Sequence, residues 1–288
     1  MLKHKLLLLF TVCFTVFLNA CADINLNDIP LINNDSYFTI EFIDVGQGDS
    51  ALIECDGKFM LIDGGDKSAG DSVYKVLIEK GIYSLDILAI SHLHQDHYGG
   101  LIDALKATTR INKTICNKDY LDNNLFVDLD SELVSNKTSI SIPNIGDKFK
   151  LGSAEVEVID NSSMEDNDSL VLLITYGKTR FLFTGDIEDS AQKRISEKYA
   201  NASDEPYKID LIKMPHHGSN TNSLYQFIRT FMPTYAVISV GANNSYGHPN
   251  RETLDKLSDA DVQVYRTDES GNIIVKSDGK KLYFETEK

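Results

Sequence analysis

The alternation of apolar and polar residues predicts a β-strand soon after residue 36. Phe38, Ile40 and Phe42 recur at every second position with more polar neighbours between them, which is the period of a strand. Short apolar runs over 51–54 and 58–62 predict two more strands. The structured part of the chain therefore begins with a β-sheet.

Two later stretches repeat one order of elements: an apolar strand, an acidic tip, a helix, a second apolar strand and a histidine-rich tip. Polar loops at the ends of buried strands are where α/β proteins carry their chemistry. We therefore expect two related halves whose tips converge on one site, not two independent domains. The first stretch comprises strand 59–62, tip 63–65, helix 71–80, strand 85–91 and tip 92–97, and the second comprises strand 181–184, tip 185–186, helix 188–199, strand 209–214 and tip 216–219.

The rest of the pattern completes an α/β fold. The segment from about 111 to 176 is predicted to form mostly short strands, and the C-terminal part alternates helices with strands. Strands flanked by helices at both ends of the chain fit a core of two sheets with helices outside. The elements predicted after residue 219 are helices over 223–231 and 251–257 and strands over 235–240, 262–265, 273–276 and 282–285.

The N-terminus is predicted to be an export signal. A basic start over 1–5 precedes an apolar run of 13 residues, 6–18, whereas a membrane-spanning helix needs about 20 residues. The run ends in Leu-Asn-Ala-Cys, which resembles the lipobox of bacterial lipoproteins and implies that Cys21 carries a lipid anchor. The alternative is a plain secretory signal and a secreted protein.

This interpretation divides the chain into three parts. Residues 1–20 are a lipoprotein-type signal peptide, and 21–36 are the lipidated cysteine and a flexible Asn- and Asp-rich tether. Residues 37–288 form the folded domain. The mature protein is then expected at the cell surface, attached to the membrane by the lipid, with no stable protein partner.

Charge limits how the domain can meet a polyanion. The chain has 28 Lys and Arg against 43 Asp and Glu, a formal net charge of -15. Such a chain repels free DNA and anionic lipid headgroups. Tight, sequence-independent DNA binding through a basic surface is therefore excluded, whereas hydrolysis at a local metal site is not.

The cysteines show no metal-binding pattern. Cys55 and Cys116 remain once the predicted signal and the lipidated residue are set aside, and their spacing is not that of a metal site. They could pair in an oxidising compartment. We predict that both are buried thiols.

Residues 92–97, His-Leu-His-Gln-Asp-His, carry the strongest chemical signal in the chain. In an extended segment His92 and His94 face the same way, because the side-chain period of a strand is two. If a helix begins at Asp96, that carboxylate and His97 turn toward a second point. Two histidines for one ion and an Asp-His pair for another predict a dinuclear metal site.

This motif at the end of an apolar strand resembles the signature of the metallo-β-lactamase superfamily of hydrolases. Other segments are similar to the hydrolase domain of the ComEC/Rec2 competence proteins. The resemblance implies an αββα sandwich over 37–288, with two mixed sheets flanked by helices, and a dinuclear hydrolase that acts on a DNA strand. The segments are 42–50, 61–65, 167–171, 183–186, 215–219 and 239–249.

The resemblance also implies roles for individual residues. His92 and His94 would bind one divalent metal ion, Asp96 and His97 the other, and Asp186 would bridge them. A hydroxide between the two ions would be the nucleophile.

Three further roles follow from the same resemblance. One histidine of the pair His216-His217 would complete the second metal site, and we favour His216 because it is nearer the end of the strand. Asp63 would orient a histidine or the loop, although a plain turn residue before two glycines is an equal alternative. His248 would bind phosphate or protonate the leaving oxygen, although a loop histidine held by a turn before proline is the alternative.

The metal is expected to be zinc by family, with manganese or magnesium as alternatives. Many members of the superfamily supply a third histidine to the first metal before the strand that leads to the bridging aspartate. Residues 165–169 read Glu-Asp-Asn-Asp-Ser and contain no histidine. An oxygen-rich first site would favour manganese or magnesium.

The sequence supports three hypotheses about function. The first is a nuclease or other phosphodiesterase that contacts DNA transiently outside the cytoplasm. The second keeps the metals but replaces the substrate with a β-lactam or a small ester. The third is a non-catalytic, surface-anchored binding protein, for which loss of the metal ligands would be the signature.

Overall fold

The computed structural model describes residues 38–118, 127–162, 168–200, 207–221 and 224–288. All of them belong to one compact unit that covers 36–288. The predicted signal peptide, the tether and the lipidated Cys21 lie outside the described residues. None of the helices described is long and apolar enough to cross a membrane.

Seventeen strands occur in the described part of the chain. They are β1 Phe38–Phe42, β2 Ala51–Cys55, β3 Lys58–Ile62, β4 Ser84–Leu85, β5 Ile87–Ile90, β6 Arg110–Ile111, β7 Thr114–Cys116, β8 Ile140–Ser141, β9 Lys148–Leu151, β10 Ala154–Asp160, β11 Val171–Tyr176, β12 Thr179–Phe183, β13 Leu211–Lys213, β14 Tyr235–Ile238, β15 Gln263–Arg266, β16 Ile273–Ser277 and β17 Leu282–Thr286.

These strands form two large mixed sheets and one small ribbon. The first sheet has eight strands in the order β17-β16-β1-β2-β3-β5-β7-β8, and the second has seven in the order β15-β14-β13-β12-β11-β10-β9. The ribbon pairs β4 with β6. In the middle of each large sheet two neighbouring strands run parallel, β3 with β5 and β12 with β13.

The α-helices lie between these strands in the chain. They are α1 Gly70–Glu79, α2 Gln95–Tyr98, α3 Leu101–Ala104, α4 Val127–Ser135, α5 Asp189–Ala200, α6 Leu224–Phe231, α7 Arg251–Asp259 and α8 Thr267–Ser270.

Three apolar clusters give the layers of the fold. The central cluster combines the inner faces of the two sheets, where Phe38 stacks on Phe181 with ring centroids 4.8 Å apart. A second cluster packs α1, α3 and α4 on the outer face of the first sheet. A third packs α5, α6 and α7 on the outer face of the second sheet. The order helix, sheet, sheet, helix confirms the predicted αββα sandwich.

The described part of the segment predicted to be mostly strand also contains a helix. Residues 127–135 form α4, where the side chains of Leu129 and Leu133 are buried one helical turn apart against the first sheet. Their spacing of four residues matches the helical period, which the acidic and polar residues of the helix obscure in the sequence. Cys55 and Cys116 are buried and free, which confirms the prediction for the thiols.

The parallel strand pairs explain why the tips meet. The carboxyl ends of β3 and β5 lie at one edge of the first sheet, and those of β12 and β13 lie at one edge of the second. The two edges face each other across the central core, so that the four tips predicted from the sequence surround one place.

Candidate metal centre

The histidine motif changes from extended chain to helix within a few residues. His94 has extended backbone angles, φ -82° and ψ 148°, and α2 begins at the next residue. Asp96 and His97 therefore leave the line of the strand, as the sequence predicts. The loop after β1 passes directly against this turn, since a side chain at Gly48 would overlap the backbone carbonyl of Asp96.

The second sheet contributes its residues through two unusual turns. Gly185 has φ +53° and lies so close to Ser169 that a β-carbon would come within 2.5 Å of it, which brings Asp186 back over the sheet edge. His216 and His217 both adopt left-handed backbone angles, φ 47° and 52°. Such angles are strained for residues other than glycine and persist where the surrounding structure fixes them, often at functional sites.

The carboxylate of Asp186 lies among four imidazole rings. Its side chain is buried and its Oδ1 accepts no hydrogen bond from the residues described. The distances from its Oδ2 to the Nε2 atoms are 3.2 Å for His97, 3.5 Å for His217, 3.8 Å for His216 and 3.9 Å for His92.

Four of the predicted ligands form one tight group. Asp96, His97, Asp186 and His217 each offer a ligand atom, and these atoms all lie within 4.8 Å of one another. Asp96 Oδ2 is 3.2 Å from His217 Nε2, although the two residues are 121 positions apart. The arrangement joins an aspartate and a histidine from each sheet edge.

The remaining predicted ligands stand around this group. The His92 ring packs against the ring of His94, with centroids 4.6 Å apart, on the side of the first sheet. His216 lies on the other side and pairs through Nδ1 with Glu188 Oε1 at 2.8 Å. The structure thus brings all seven predicted ligands to one region but places only four of them in the tight group.

The histidine pair differs from the preference stated from sequence. His217 is only 1% exposed and belongs to the group of four, whereas the His216 side chain is 25% exposed. Strand alternation gave no basis for choosing between them, because the left-handed turn ends the strand before either residue. The geometry favours His217 as the ligand.

Two ring orientations are set by hydrogen bonds at Nδ1. His97 Nδ1 lies 3.0 Å from Asp63 Oδ2, and His217 Nδ1 lies 3.0 Å from the Ser239 carbonyl oxygen. A carbonyl or carboxylate at Nδ1 fixes the proton there and leaves Nε2 as the metal-binding atom. In both residues Nε2 points toward Asp186.

Asp63 therefore acts on His97, which is one of the two roles considered for it. Its Oδ1 accepts a hydrogen bond of 2.7 Å from the Ser91 backbone N–H, and its Oδ2 accepts one of 2.6 Å from the Ser91 hydroxyl. The carboxylate is 1% exposed. Asp63 is thus a positioning residue, held by the first residue after β5.

The donor atoms fit a divalent metal. The Nε2 atoms of His92 and His97 and Oδ1 of Asp186 are buried, and among the described residues none has a hydrogen-bond partner. Leaving such atoms unsatisfied is costly, and a cation would satisfy all three. Nitrogen and carboxylate donors in this combination suit zinc, and suit manganese as well.

The carboxylates determine the charge of the histidines. Burial alone lowers the pKa of His97, but Asp186, Asp63 and Asp49 together raise it well above the ordinary value. Burial likewise opposes protonation of His217, and Asp186 and Asp49 outweigh it, which raises the pKa to about 9. Without a metal, the His217 ring is therefore positively charged at neutral pH, and the carboxylates around His97 favour its charged form as well.

The other buried groups respond to these protons. Burial raises the pKa of Asp186, but His97 and His217 hold it well below the usual range of an aspartate. Burial and the charge of His97 lower the pKa of His92 well below the usual value. The site therefore alternates negative and positive groups, with His92 neutral at its edge.

The candidate site also contains a buried lysine that the sequence motifs do not predict. Lys213 is the last residue of β13 and only 3% exposed, and its ammonium group contacts the carboxylate of Asp49. The two oxygens of Asp49 lie 3.3 Å from His217 Nδ1 and 3.8 Å from His97 Nδ1. A lysine inside a buried strand was the available signal, because such a residue is almost never fully buried unless it is paired.

His248 lies beyond the histidine pair. Its ring centroid is 5.5 Å from that of His216 and 6.4 Å from that of His217, and its Nδ1 is buried. Burial and then the positive charges of His216 and His217 lower the pKa of His248 to about 4. The ring is therefore neutral at pH 7, so that it can exchange hydrogen bonds with a bound group.

The layers of the fold, with histidines and aspartates clustered at the sheet edges, are those of an αββα hydrolase with a candidate metal site. The sequence pattern described as the Metallo-beta-lactamase superfamily matches residues 43–242. The chain belongs to this superfamily. The crystal structure of the metallo-beta-lactamase fold protein YhfI from Bacillus subtilis shares the fold, with a TM-score of 0.57, 12% identity, and coverage of 84% of this chain and 100% of that one.

Competence proteins are among its relatives in sequence. ComE operon protein 3 of Bacillus subtilis (strain 168) is 27% identical over 91% of this chain and 34% of its own length. Competence protein ComA of Neisseria gonorrhoeae is 28% identical over 79% of this chain and 30% of its own length. This chain therefore spans about a third of these relatives, and the likeness to ComEC/Rec2-type competence proteins is confirmed.

Removing the metal should make stability depend on pH. The pKa of His217, about 9 in the folded protein, exceeds the value of 6.5 of a free histidine. Its protonation therefore stabilises the fold fully below pH 6.5, and this contribution is lost as pH rises to about 9. We expect the Tm of chelator-treated protein to fall across this interval in differential scanning calorimetry.

Added zinc should raise the Tm more at pH 8.5 than at pH 6.5. The metal must displace the extra proton of His217, and a larger fraction of His217 has lost that proton at pH 8.5. His248 cannot produce the same signal, since its pKa is lowered and its titration affects stability only below pH 6.5. A Tm of the chelated protein that stays level or rises between pH 6.5 and 9 would contradict the assignment.

The Lys213–Asp49 pair should be worth more to stability than a surface pair. Lys213→Met keeps most of the side-chain volume but removes the ammonium group that contacts the buried Asp49 carboxylate. We expect the free energy of unfolding to fall by about 3–5 kcal/mol, and Asp49→Asn in the same chain to recover much of the loss. Urea unfolding with chelator present measures both.

Arg251→Met is the matched control, because it removes a cation from an exposed i,i+4 pair with Asp255. Pairs of that kind contribute little. If Lys213→Met and Arg251→Met shift the urea midpoint equally, the buried pair has no special role.

Proposed function

We propose that this protein is a metal-dependent phosphodiesterase that cleaves DNA outside the cytoplasm. The observation that carries the proposal is the group of Asp96, His97, Asp186 and His217, whose ligand atoms converge within 4.8 Å at the edges of both sheets. The resemblance to the ComEC/Rec2 competence proteins supports DNA as the substrate. Membership of the metallo-β-lactamase superfamily supports hydrolysis as the reaction.

We propose that the site holds two neighbouring metal ions. Asp96, His97 and His217 would bind one, and His92 with His94 would bind the other, with Asp186 between them. Divalent ions at such a site neutralise phosphate oxygens and make water a nucleophile at neutral pH. Either zinc or manganese is compatible with these donors.

The chain's own residues prepare the site for that chemistry. Asp63 fixes the ring of His97, and the Ser239 carbonyl fixes the ring of His217, so that neither ligand has to reorient when a phosphodiester arrives. His248 adds a neutral ring on the outer side. From there it can donate or accept a hydrogen bond at a phosphate or leaving oxygen.

The charge of the protein is compatible with this substrate. The formal net charge is -15, so the exterior contributes no general attraction for DNA. Bound divalent ions would supply positive charge where the phosphate lies. DNA contact is then short and local, and its affinity depends less on salt than that of a protein with many lysine and arginine contacts.

The location belongs to the proposal. A basic start, an apolar run of 13 residues and the lipobox-like ending at Cys21 support export and lipid anchoring at the cell surface. The chain matches about a third of each competence relative, so the activity and substrates of those whole proteins come to this chain only as part of the proposal.

Cleavage assays test the reaction directly. The purified chain loaded with manganese or zinc should cut end-labelled DNA and hydrolyse a chromogenic phosphodiester, and chelator should stop both. Asp96→Ala removes a ligand oxygen from the group and should lower both rates by more than about 100-fold, since even the loss of a residue that only orients a ligand costs about 10- to 100-fold. Gel analysis of labelled DNA beside the chromogenic assay measures this loss.

Asp71→Ala is the matched control, because it removes an exposed aspartate on α1, outside the group of ligands. It should leave both rates unchanged. The proposal fails if metal-loaded protein leaves both phosphodiesters intact but hydrolyses nitrocefin or a small ester. A protein that takes up no metal after loading would support the binding-protein alternative instead.

Membrane anchoring has a separate test. Cys21→Ser removes the thiol that lipidation requires, and we expect the protein to move from the membrane fraction to the soluble exported fraction. Fractionation followed by immunoblotting measures the shift. Cys55→Ser is the control, because that thiol is buried in the folded domain and should not affect the distribution.

A further inference from the structure

The loop over residues 241–250 presents an aromatic ring to solvent beside the candidate metal centre. Tyr246 is 70% exposed, and its ring stacks on that of His248 with centroids 5.9 Å apart and planes inclined by 23°. One face of the ring thus rests on His248. The high exposure leaves room for a second flat group on the other side.

Hydrogen bonds from one side chain give this loop its shape. Asn244 Oδ1 accepts from the backbone N–H groups of Tyr246 and His248, both at 3.1 Å. Its Nδ2 donates to the carbonyl oxygens of Gly241 at 3.0 Å and His248 at 2.5 Å. Four bonds from a single amide place Tyr246 and His248 in a fixed relation, so that the ring is preorganised for binding.

Both ends of the loop are attached to parts of the site. The Gly241 backbone N–H donates to the Gln47 side chain at 3.2 Å, and the Asn250 backbone N–H donates to the carbonyl of Gly218 at 2.9 Å. Gln47 belongs to the loop that carries Asp49, and Gly218 follows the histidine pair. The position of the aromatic ring is therefore tied to the metal-binding residues.

A row of rings leads from the metal centre to Tyr246. His216 Nε2 lies 3.8 Å from the carboxylate of Asp186, the rings of His216 and His248 are 5.5 Å apart, and Tyr246 stacks on His248. A phosphate at the centre would be near the inner end of this row. The group attached to that phosphate would be near the outer end.

The loop is also uncharged in an acidic protein. Residues 241–250 read Gly-Ala-Asn-Asn-Ser-Tyr-Gly-His-Pro-Asn and contain no Asp, Glu, Lys or Arg, although the chain has 43 acidic residues. A polyanion that reaches Tyr246 therefore meets no carboxylate of this loop.

Exposed tyrosines are common, and most need no functional explanation. Tyr283 on β17 is 50% exposed and its hydroxyl donates to Asp278. Tyr225 on α6 is 43% exposed and lies beneath the guanidinium of Arg229. Tyr246 differs from both because its ring contacts a histidine of the candidate site and because hydrogen bonds from Asn244 fix the backbone on which it stands.

We propose that Tyr246 is a stacking platform for a nucleobase of the strand whose phosphodiester lies at the metal centre. This proposal rests on the proposed function and names how the substrate is bound. Stacking on an aromatic side chain tolerates every base and does not require a basic surface. It would give an acidic protein a contact with DNA that net charge does not oppose.

The absence of tryptophan from the sequence allows a direct test. Tyr246→Trp introduces the sole tryptophan at the proposed platform, and its fluorescence reports stacking without any need for turnover. The full-length metal-loaded variant would be titrated with deoxyadenosine monophosphate and, separately, with deoxyribose phosphate, which lacks the base. We expect quenching by the nucleotide and about 5- to 150-fold weaker binding of the sugar phosphate.

Tyr283→Trp is the matched control, because it places the sole tryptophan at an exposed tyrosine on β17. Its emission should respond to neither ligand. The stacking proposal is overturned if the Tyr246→Trp emission ignores the nucleotide, or if the two ligands bind equally well and quench equally.

Kinetics separate failure of this proposal from failure of the proposed function. Tyr246→Ala should raise KM for single-stranded DNA about 5- to 150-fold while kcat changes little, and Tyr246→Phe should retain the wild-type KM. Wild-type protein that cleaves DNA, with an unchanged KM in Tyr246→Ala, would refute stacking alone. Wild-type protein that cleaves no phosphodiester would refute the proposed function, and the fluorescence result would still decide whether the base is bound.

Discussion

The buried carboxylate of Asp186 is the constraint around which the two sheets are arranged. Its Oδ2 lies within 3.9 Å of the Nε2 atoms of four histidines, two from each sheet edge. An aspartate with so little exposure is costly unless positive groups surround it, either imidazolium ions or a metal. Each histidine must therefore come to the same place, although His92 and His217 belong to different sheets. The chain reaches this arrangement by strained turns at the strand ends, not by strain within the strands.

The surrounding residues fix the proton positions and the charges of the histidines and carboxylates in this group. Asp63 and the Ser239 carbonyl fix the proton positions of His97 and His217, and Lys213 offsets the charge of Asp49 beside them. A histidine that has its Nδ1 proton fixed can bind a metal without first changing tautomer. Burial opposes protonation of both rings, but Asp186 and Asp49 raise their pKa values when no metal is bound, so protons and metal ions compete for one set of atoms.

Much of the fold and of the metal-binding motif follows from local patterns in the sequence. Period-two and apolar runs located the strands that lead to the tips, and three histidines with an aspartate in residues 92–97 predicted where the candidate metal centre lies. Other features depend on contacts that local patterns do not contain. His216 and His217 have left-handed backbone angles, so strand alternation cannot tell which of them points into the site. The pairing of Lys213 with Asp49 joins residues far apart in the chain. The helix α4 was missed because only two leucines mark its buried face.

The pair of Lys213 and Asp49 gives the site a second role in the molecule. Lys213 belongs to the second sheet and Asp49 to a loop of the first, so this buried contact is also a joint between the two sheets. Replacing Lys213 or Asp49 therefore affects the stability of the fold as well as the candidate site. A substitution of Lys213 or Asp49 that changes the pKa values of the histidines also weakens the contact between the sheets. Fewer substitutions near the site are therefore compatible with a stable fold when the protein acquires a new substrate. Variation is expected to collect in the loop that carries Tyr246, which lies outside this joint.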